Sequence, residues 1–107
     1  MQNCERRRNM KYFVIEGTLT TSEPMDDSLM QNHIGYTQKA INQGQILLTG
    51  LKGDMSGGLF IMKAESSEQV HSYLASEPFQ KEGLQTYEVT EFSPHYFNNS
   101  PADWFEE

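Results

Sequence analysis

Residues 45–64 read QILLTGLKGDMSGGLFIMKA. An apolar run, Gln45–Leu51, enters a segment, Gly53–Gly58, that holds three glycines, and a second apolar run, Leu59–Ala64, follows directly. Two such runs around a short glycine-rich turn specify an antiparallel hairpin. Its flanks decide the fold. Upstream, Asp26, Asp27 and Ser28 offer acceptor oxygens and negative charge where a helix begins. At ~100° per residue, Leu29, Met30, Ile34, Tyr36, Ala40 and Ile41 then share one stripe, and Gly44 stands where a helix is capped. This predicts helix one over 28–43. Before it, after a loop at Thr20–Pro24, the β-branched and aromatic run Tyr12–Leu19 predicts strand one over 11–19. Downstream, Ser66 followed three residues later by Gln69 has the form of a capping box. It opens a short helix, 67–76, that buries Val70, Tyr73 and Leu74 and that Pro78 cannot continue. Strand four spans 84–92, with Pro94 after it. The order βαββαβ is the split βαβ, an α+β ferredoxin-like sandwich with one antiparallel four-stranded sheet and both helices on one face.

That topology leaves one face of the sheet without a helix. Strands one to three are apolar at nearly every position, as in Phe13-Val14-Ile15, Ile46-Leu47-Leu48 and Leu59-Phe60-Ile61, so residues of both parities call for burial. A second copy of the chain is the expected cover, giving a homodimer through the open sheet face.

The 107 residues carry 8 Lys and Arg against 15 Asp and Glu, a net charge of −7, which excludes a basic nucleic-acid binder. The length suits one domain. Cys4 is the single cysteine, so no disulfide forms within the chain, and a reducing cytoplasm is the expected compartment. No apolar run approaches the ~18–20 residues that span a bilayer, and polar Asn9 follows the arginines Arg6–Arg8 where a secretory signal would turn apolar. We read residues 1–9 as a flexible leader, 10–95 as the domain and 96–107 as an aromatic tail. Tyr96, Phe97, Trp104 and Phe105 are four of the twelve aromatic residues, so the tail is expected to dock on the domain or on a partner, or to lie over a pocket as a lid.

His33 falls near the centre of the helix-one stripe, which turns an ionisable ring toward the sheet. By pattern alone it is either a satisfied core histidine or a proton-transfer group. Glu77 is expected on the inner side of helix two as that helix ends, against the negative end of the helix dipole, where stability alone does not place a carboxylate. Tyr36, one turn beyond His33, is a candidate hydrogen-bond donor to a substrate, or simply a core tyrosine. Asp54 in the hairpin turn either reaches a pocket or serves the turn. His33, His71 and His95 lack zinc-site spacing, and nucleotide-binding glycine motifs and a nucleophile elbow are missing, so neither metal nor cofactor is expected.

Five segments taken together, MKYFVI (10–15), His33, GQILLTG (44–50), GGLFI (57–61) and EPF (77–79), resemble the YciI-like, or YCII-related, family. The resemblance covers residues 10–95. It implies a ferredoxin-like fold whose sheets pair as a dimeric α+β barrel. It also implies a dyad of the helix-one histidine with the aspartate of an Asp-Pro-Phe motif, at positions matching His33 and Glu77. Here glutamate replaces aspartate, keeping the charge and lengthening the arm by one methylene. The chemistry implied is that of a cofactor-free lyase or isomerase acting on a small ring or carbonyl compound. His33 would move the proton, Glu77 would hold its tautomer, and Tyr36, Asp54 and Phe79 would contact substrate. The alternative is a non-catalytic module that binds a small ligand or a protein partner.

Overall fold

The computed structural model describes residues 10–105; the leader read over 1–9 lies outside them. In chain order the elements are β1 (Lys11–Leu19), α1 (Asp27–Asn42), β2 (Ile46–Leu51), β3 (Gly57–Ala64), α2 (Ser67–Ala75), α3 (Pro78–Lys81), β4 (Gln85–Phe92) and α4 (Pro101–Trp104). The sheet runs β2-β3-β1-β4, and β1 pairs antiparallel with both β3 and β4 while β2 pairs antiparallel with β3. This interleaving is the ferredoxin-like α+β fold. Among the described residues no helix is long and apolar enough to cross a membrane.

The caps follow the sequence. Asp26 accepts from the Leu29 N–H at 3.1 Å and starts α1. At the other end Gly44 takes φ +79°, its N–H bonds the Ile41 carbonyl and the Gln45 N–H bonds the Ala40 carbonyl, the two bonds of a Schellman turn. Ser66 caps α2 at Gln69, whose side chain reaches back to the Glu65 N–H, one residue earlier than a standard capping box.

The core gathers Phe13 and Ile15 of β1, Ile46, Met62, Ala64 and, from the helices, Ala40, Val70 and Leu74. The α1 stripe is the expected one except at Ile34. Ile34 is 49% exposed, and the inward row holds His33, as expected, with Tyr36, Thr37, Ala40 and Ile41. Strand three starts at Gly57, two residues earlier than expected. A Cβ there would lie 1.9 Å from the Gly17 carbonyl oxygen, so β1 and β3 approach this closely only because residue 57 has no side chain.

The helix-free face is more mixed than its apolar runs imply. Alternation and register place Val14, Leu48, Leu59 and Ile61 on it, together with Thr18, Lys63, Thr86, Thr90 and the directly opposed Glu16 and Glu88. Lys52 Nζ lies 2.8 Å from the Glu16 carboxylate. The tail leaves Tyr96, Phe97, Trp104 and Phe105 exposed, Tyr96 at 98%. Trp104 packs edge-on against Phe105 at 5.0 Å.

Candidate active site

The site grows from the break between α2 and α3. A residue preceding proline is pushed out of the helical region, and Glu77 is extended at φ −70°, ψ 131°. Pro78 then occupies the first turn of α3, where its missing N–H costs nothing. This corrects the expected setting of Glu77. Rather than opposing the C-terminus of α2, it caps the N-terminus of α3, accepting from the Phe79 N–H at 3.1 Å and the Gln80 N–H at 3.3 Å. The proline that stops one helix starts the next.

Both backbone donors reach Oε1, and the Tyr87 hydroxyl adds a third bond to the same oxygen at 2.8 Å. Oε2 meets Nδ1 of His33 on α1. Gln85 Nε2 donates to the Tyr87 hydroxyl at 2.8 Å. Glu77 is only 2% exposed. Burial by itself pushes its carboxyl pKa up, but the hydrogen bonds from His33 and Tyr87, the His33 charge and the Phe79 N–H outweigh it, and the group is held below the usual carboxylate value. An ionised carboxylate only accepts, which fixes the direction of every bond around it. Nδ1 of His33 must carry a proton and donate, leaving Nε2 as the nitrogen that takes up or delivers one.

The imidazole lies flat on the Phe79 ring, with centroids 3.9 Å apart and planes inclined by 4°. That stack fixes the ring plane, and a protonated ring there gains cation–π attraction. The His33 side chain remains 26% exposed and opens on a cavity of about 560 Å³. Gly17, Thr49, Phe60 and Tyr87 of the sheet form one wall; Met30, His33, Thr37 and Tyr73 of the helices form the other. Exposed Leu51 and Met55 stand at its rim.

Phe79 lines this cavity beside the pair. Tyr36 is not among the cavity's lining residues: its hydroxyl donates to the Tyr73 carbonyl at 2.6 Å, its ring stacks on Tyr73 at 4.7 Å, and burial pushes its pKa up. Its one proton is already committed. Asp54 bonds the Ser56 N–H and hydroxyl, which holds its carboxyl below the ordinary value, and it borders an adjoining hollow with Thr20–Met25 rather than the cavity itself. The wall takes its neighbour Met55 instead.

Tyr87 and Gln85 were not singled out from the sequence. Their signal was parity. Gln85, Tyr87 and Val89 alternate along β4 toward the helices, and a glutamine at a core-facing strand position needs a partner. Burial pushes the Tyr87 pKa up, and the Glu77 charge adds to it, so the phenol stays a donor. Among the described residues no group of three or more His, Cys, Asp or Glu side chains is placed to hold a metal ion.

The fold is similar to that of 5-chloro-2-hydroxyhydroquinone dehydrochlorinase (TftG) from Burkholderia phenoliruptrix AC1100, solved with 2,5-dihydroxybenzoquinone. That likeness has 24% identity and a TM-score of 0.57 over 78% of this chain and 95% of that one. It is also similar to the structural-genomics protein YJCS, at 12% identity and a TM-score of 0.53 over 80% of this chain and 99% of that one. None of the curated proteins matches the sequence significantly. Residues 10–93 match the YCII-related domain, and the chain therefore belongs to the YCII-related family.

Proposed function

We propose that the protein is an acid–base catalyst, a cofactor-free lyase or isomerase that moves a proton on a small ring or carbonyl compound held in the cavity between α1 and the sheet. The observation that carries this reading is the buried Glu77 carboxylate paired with a partly exposed His33 that opens on a cavity of about 560 Å³. A core histidine kept only for packing would be sealed from solvent.

Nε2 of His33 takes or returns the substrate proton. Glu77 keeps the other nitrogen protonated and stabilises the imidazolium while the proton is on loan, and Phe79 holds the ring plane. Such a base contributes ~10²–10⁴-fold in rate. The cavity wall, with Met30, Leu51, Met55 and Phe60 against few polar groups, suits an apolar planar body with one or two polar substituents. Phe79 contacts that substrate beside the imidazole. Two copies meet through the helix-free sheet face, and the exposed tail aromatics dock on the partner subunit.

A thermal-shift screen of quinones, phenols and small carbonyl compounds tests this, starting with the 2,5-dihydroxybenzoquinone held by the dehydrochlorinase. Wild type should be stabilised by a subset of these, and turnover of that subset should disappear in folded His33→Ala. Turnover that survives in His33→Ala refutes the catalytic role.

A further inference from the structure

We propose that Tyr87, oriented by Gln85, is a positioning residue that keeps the Glu77 carboxylate ionised and turned so that Oε2 serves His33 alone. The proposal rests on the acid–base reading of the same pocket and adds the device that sets its polarity.

The hydrogen-bond directions follow from chemistry. Glu77 Oε1 receives the Phe79 and Gln80 N–H groups, so the carboxylate cannot donate to Tyr87 from that oxygen, and the Tyr87 proton must point at Glu77. A phenol has one proton. Toward Gln85 the same hydroxyl can therefore only accept, and the glutamine must present its NH₂, at 2.8 Å. The order is Gln85 to Tyr87 to Glu77, with a donor at each link, and Oε1 ends with three donors while Oε2 has His33. A buried network satisfied at every member is rigid, whereas one missing a donor leaves a charge short of solvation.

The surrounding chain is shaped to admit this relay. In the β1–β4 register Gly17 faces Tyr87 and Leu19 faces Gln85. A Cβ on Gly17 would sit 2.9 Å from both Gln85 Oε1 and Tyr87 Cε1. The glycine gives up a side chain so that the amide and the phenol can lie side by side above β1. Phe60 then packs edge-on against the Tyr87 ring at 6.3 Å and holds it from the far side.

The readout is the titration of Glu77 itself. Carboxyl ¹³C resonances are followed against pH in glutamate-labelled full-length protein, with Glu77 assigned by its disappearance in Glu77→Gln. The ionisable groups facing it are His33 and Tyr36 from α1, Tyr73 from α2 and Tyr87 from β4, and the three phenols stay neutral over the range scanned. Wild type should titrate below the ordinary glutamate value of about 4.3. Tyr87→Phe keeps the ring and deletes the donor, and its midpoint should rise by about one pH unit, a tenfold loss in carboxylate stabilisation. Gln85→Leu leaves the hydroxyl free to turn, and its midpoint should rise by less. A folded Tyr87→Phe protein with the wild-type midpoint overturns the proposal; should that variant not fold, an unmoved Gln85→Leu midpoint does so. His33→Ala reports separately on the catalytic reading. If Glu77 titrates there as in wild type, the histidine pair is absent in solution, whatever Tyr87 does.

Discussion

Replacing Glu77 with glutamine separates what the carboxylate does for the fold from what it does for His33. The amide keeps an acceptor at Oε1, so the bonds from the Phe79 and Gln80 N–H groups and from Tyr87 survive. At the other atom an NH₂ replaces Oε2, and an NH₂ can only donate. His33 Nδ1 must then accept, its proton moves to Nε2, and the nitrogen left for substrate becomes a donor instead of a base. Four hydrogen bonds remain but lose their charge assistance. At ~0.5–1.5 kcal/mol for neutral bonds against ~1.5–3 for charged ones, and with burial no longer opposing the neutral group, the net cost should be about 1–2 kcal/mol. For a domain of this size that is a fall in Tm of roughly 4–16 °C. Proton transfer should drop by the ~10²–10⁴-fold that a general base supplies. The assays are a thermal melt and long-range ¹H–¹⁵N spectra of the histidine ring, which distinguish protonation at Nδ1 from protonation at Nε2. A folded Glu77→Gln protein in which Nδ1 of His33 is still protonated and Nε2 bare would refute the reasoning, because the hydrogen-bond direction would then be set by something other than residue 77.

Acid should unfold wild type through the same group. The folded pKa of Glu77 lies below its unfolded value of about 4.3, so its contribution is complete above that value and is lost as pH falls through the folded pKa; Tm should fall more steeply with acidification in wild type than in Glu77→Gln, and parallel curves would contradict this. Gly57→Ala drives a Cβ to 1.9 Å from a backbone oxygen that no rotamer can move, so it should cost at least the ~1–3 kcal/mol of an overpacked core, whereas Gly53→Ala, with nothing within 4 Å, should melt within a few degrees of wild type. Equal melting of the two glycine variants would refute the close approach of β1 and β3. Sedimentation should show wild type as a dimer at micromolar concentration and Ile61→Glu, placed on the helix-free face opposite Val14, as a folded monomer; a dimeric Ile61→Glu would move the interface elsewhere.

The sequence carried the architecture because the signals that set it are local. A glycine-rich turn between two apolar runs, Asp26 and Ser66 as caps, and Gly44 as a helix stop are each read within a few residues, and each does in three dimensions what its neighbourhood implies. The site was legible in part. His33 and Glu77 could be named, but not the setting of Glu77, since whether a proline merely ends a helix or also begins another depends on where the next turn packs. Phe79 being 5% exposed against His33 makes that second turn worthwhile, and this contact spans from residue 33 to residue 79. Tyr36 went the other way: its spacing from His33 placed it on the right face of α1, but the nearest acceptor was the Tyr73 carbonyl rather than the cavity. For Tyr87 the decisive partner is Glu77, ten residues back across a turn, and for Gln85 it is the Tyr87 hydroxyl; alternation alone gives a facing direction without a partner.

A four-residue helix does not hold itself together in water. What holds α3 is its first turn: Pro78 restricts the backbone, Phe79 is buried, and Glu77 satisfies two of the N–H groups that a short helix would otherwise leave without partners. The same carboxylate orients His33. Capping and dyad are therefore coupled through one side chain, and truncating it to alanine removes both together. The methylene that distinguishes glutamate from aspartate at this position does not break the arrangement, since Oε1 reaches back to its own helix while Oε2 still meets α1. It follows that loss of activity in Glu77→Ala would say little about chemistry, and that the isosteric amide, which retains the cap and reverses only the bond to the imidazole, is the substitution from which the role of Glu77 can be read.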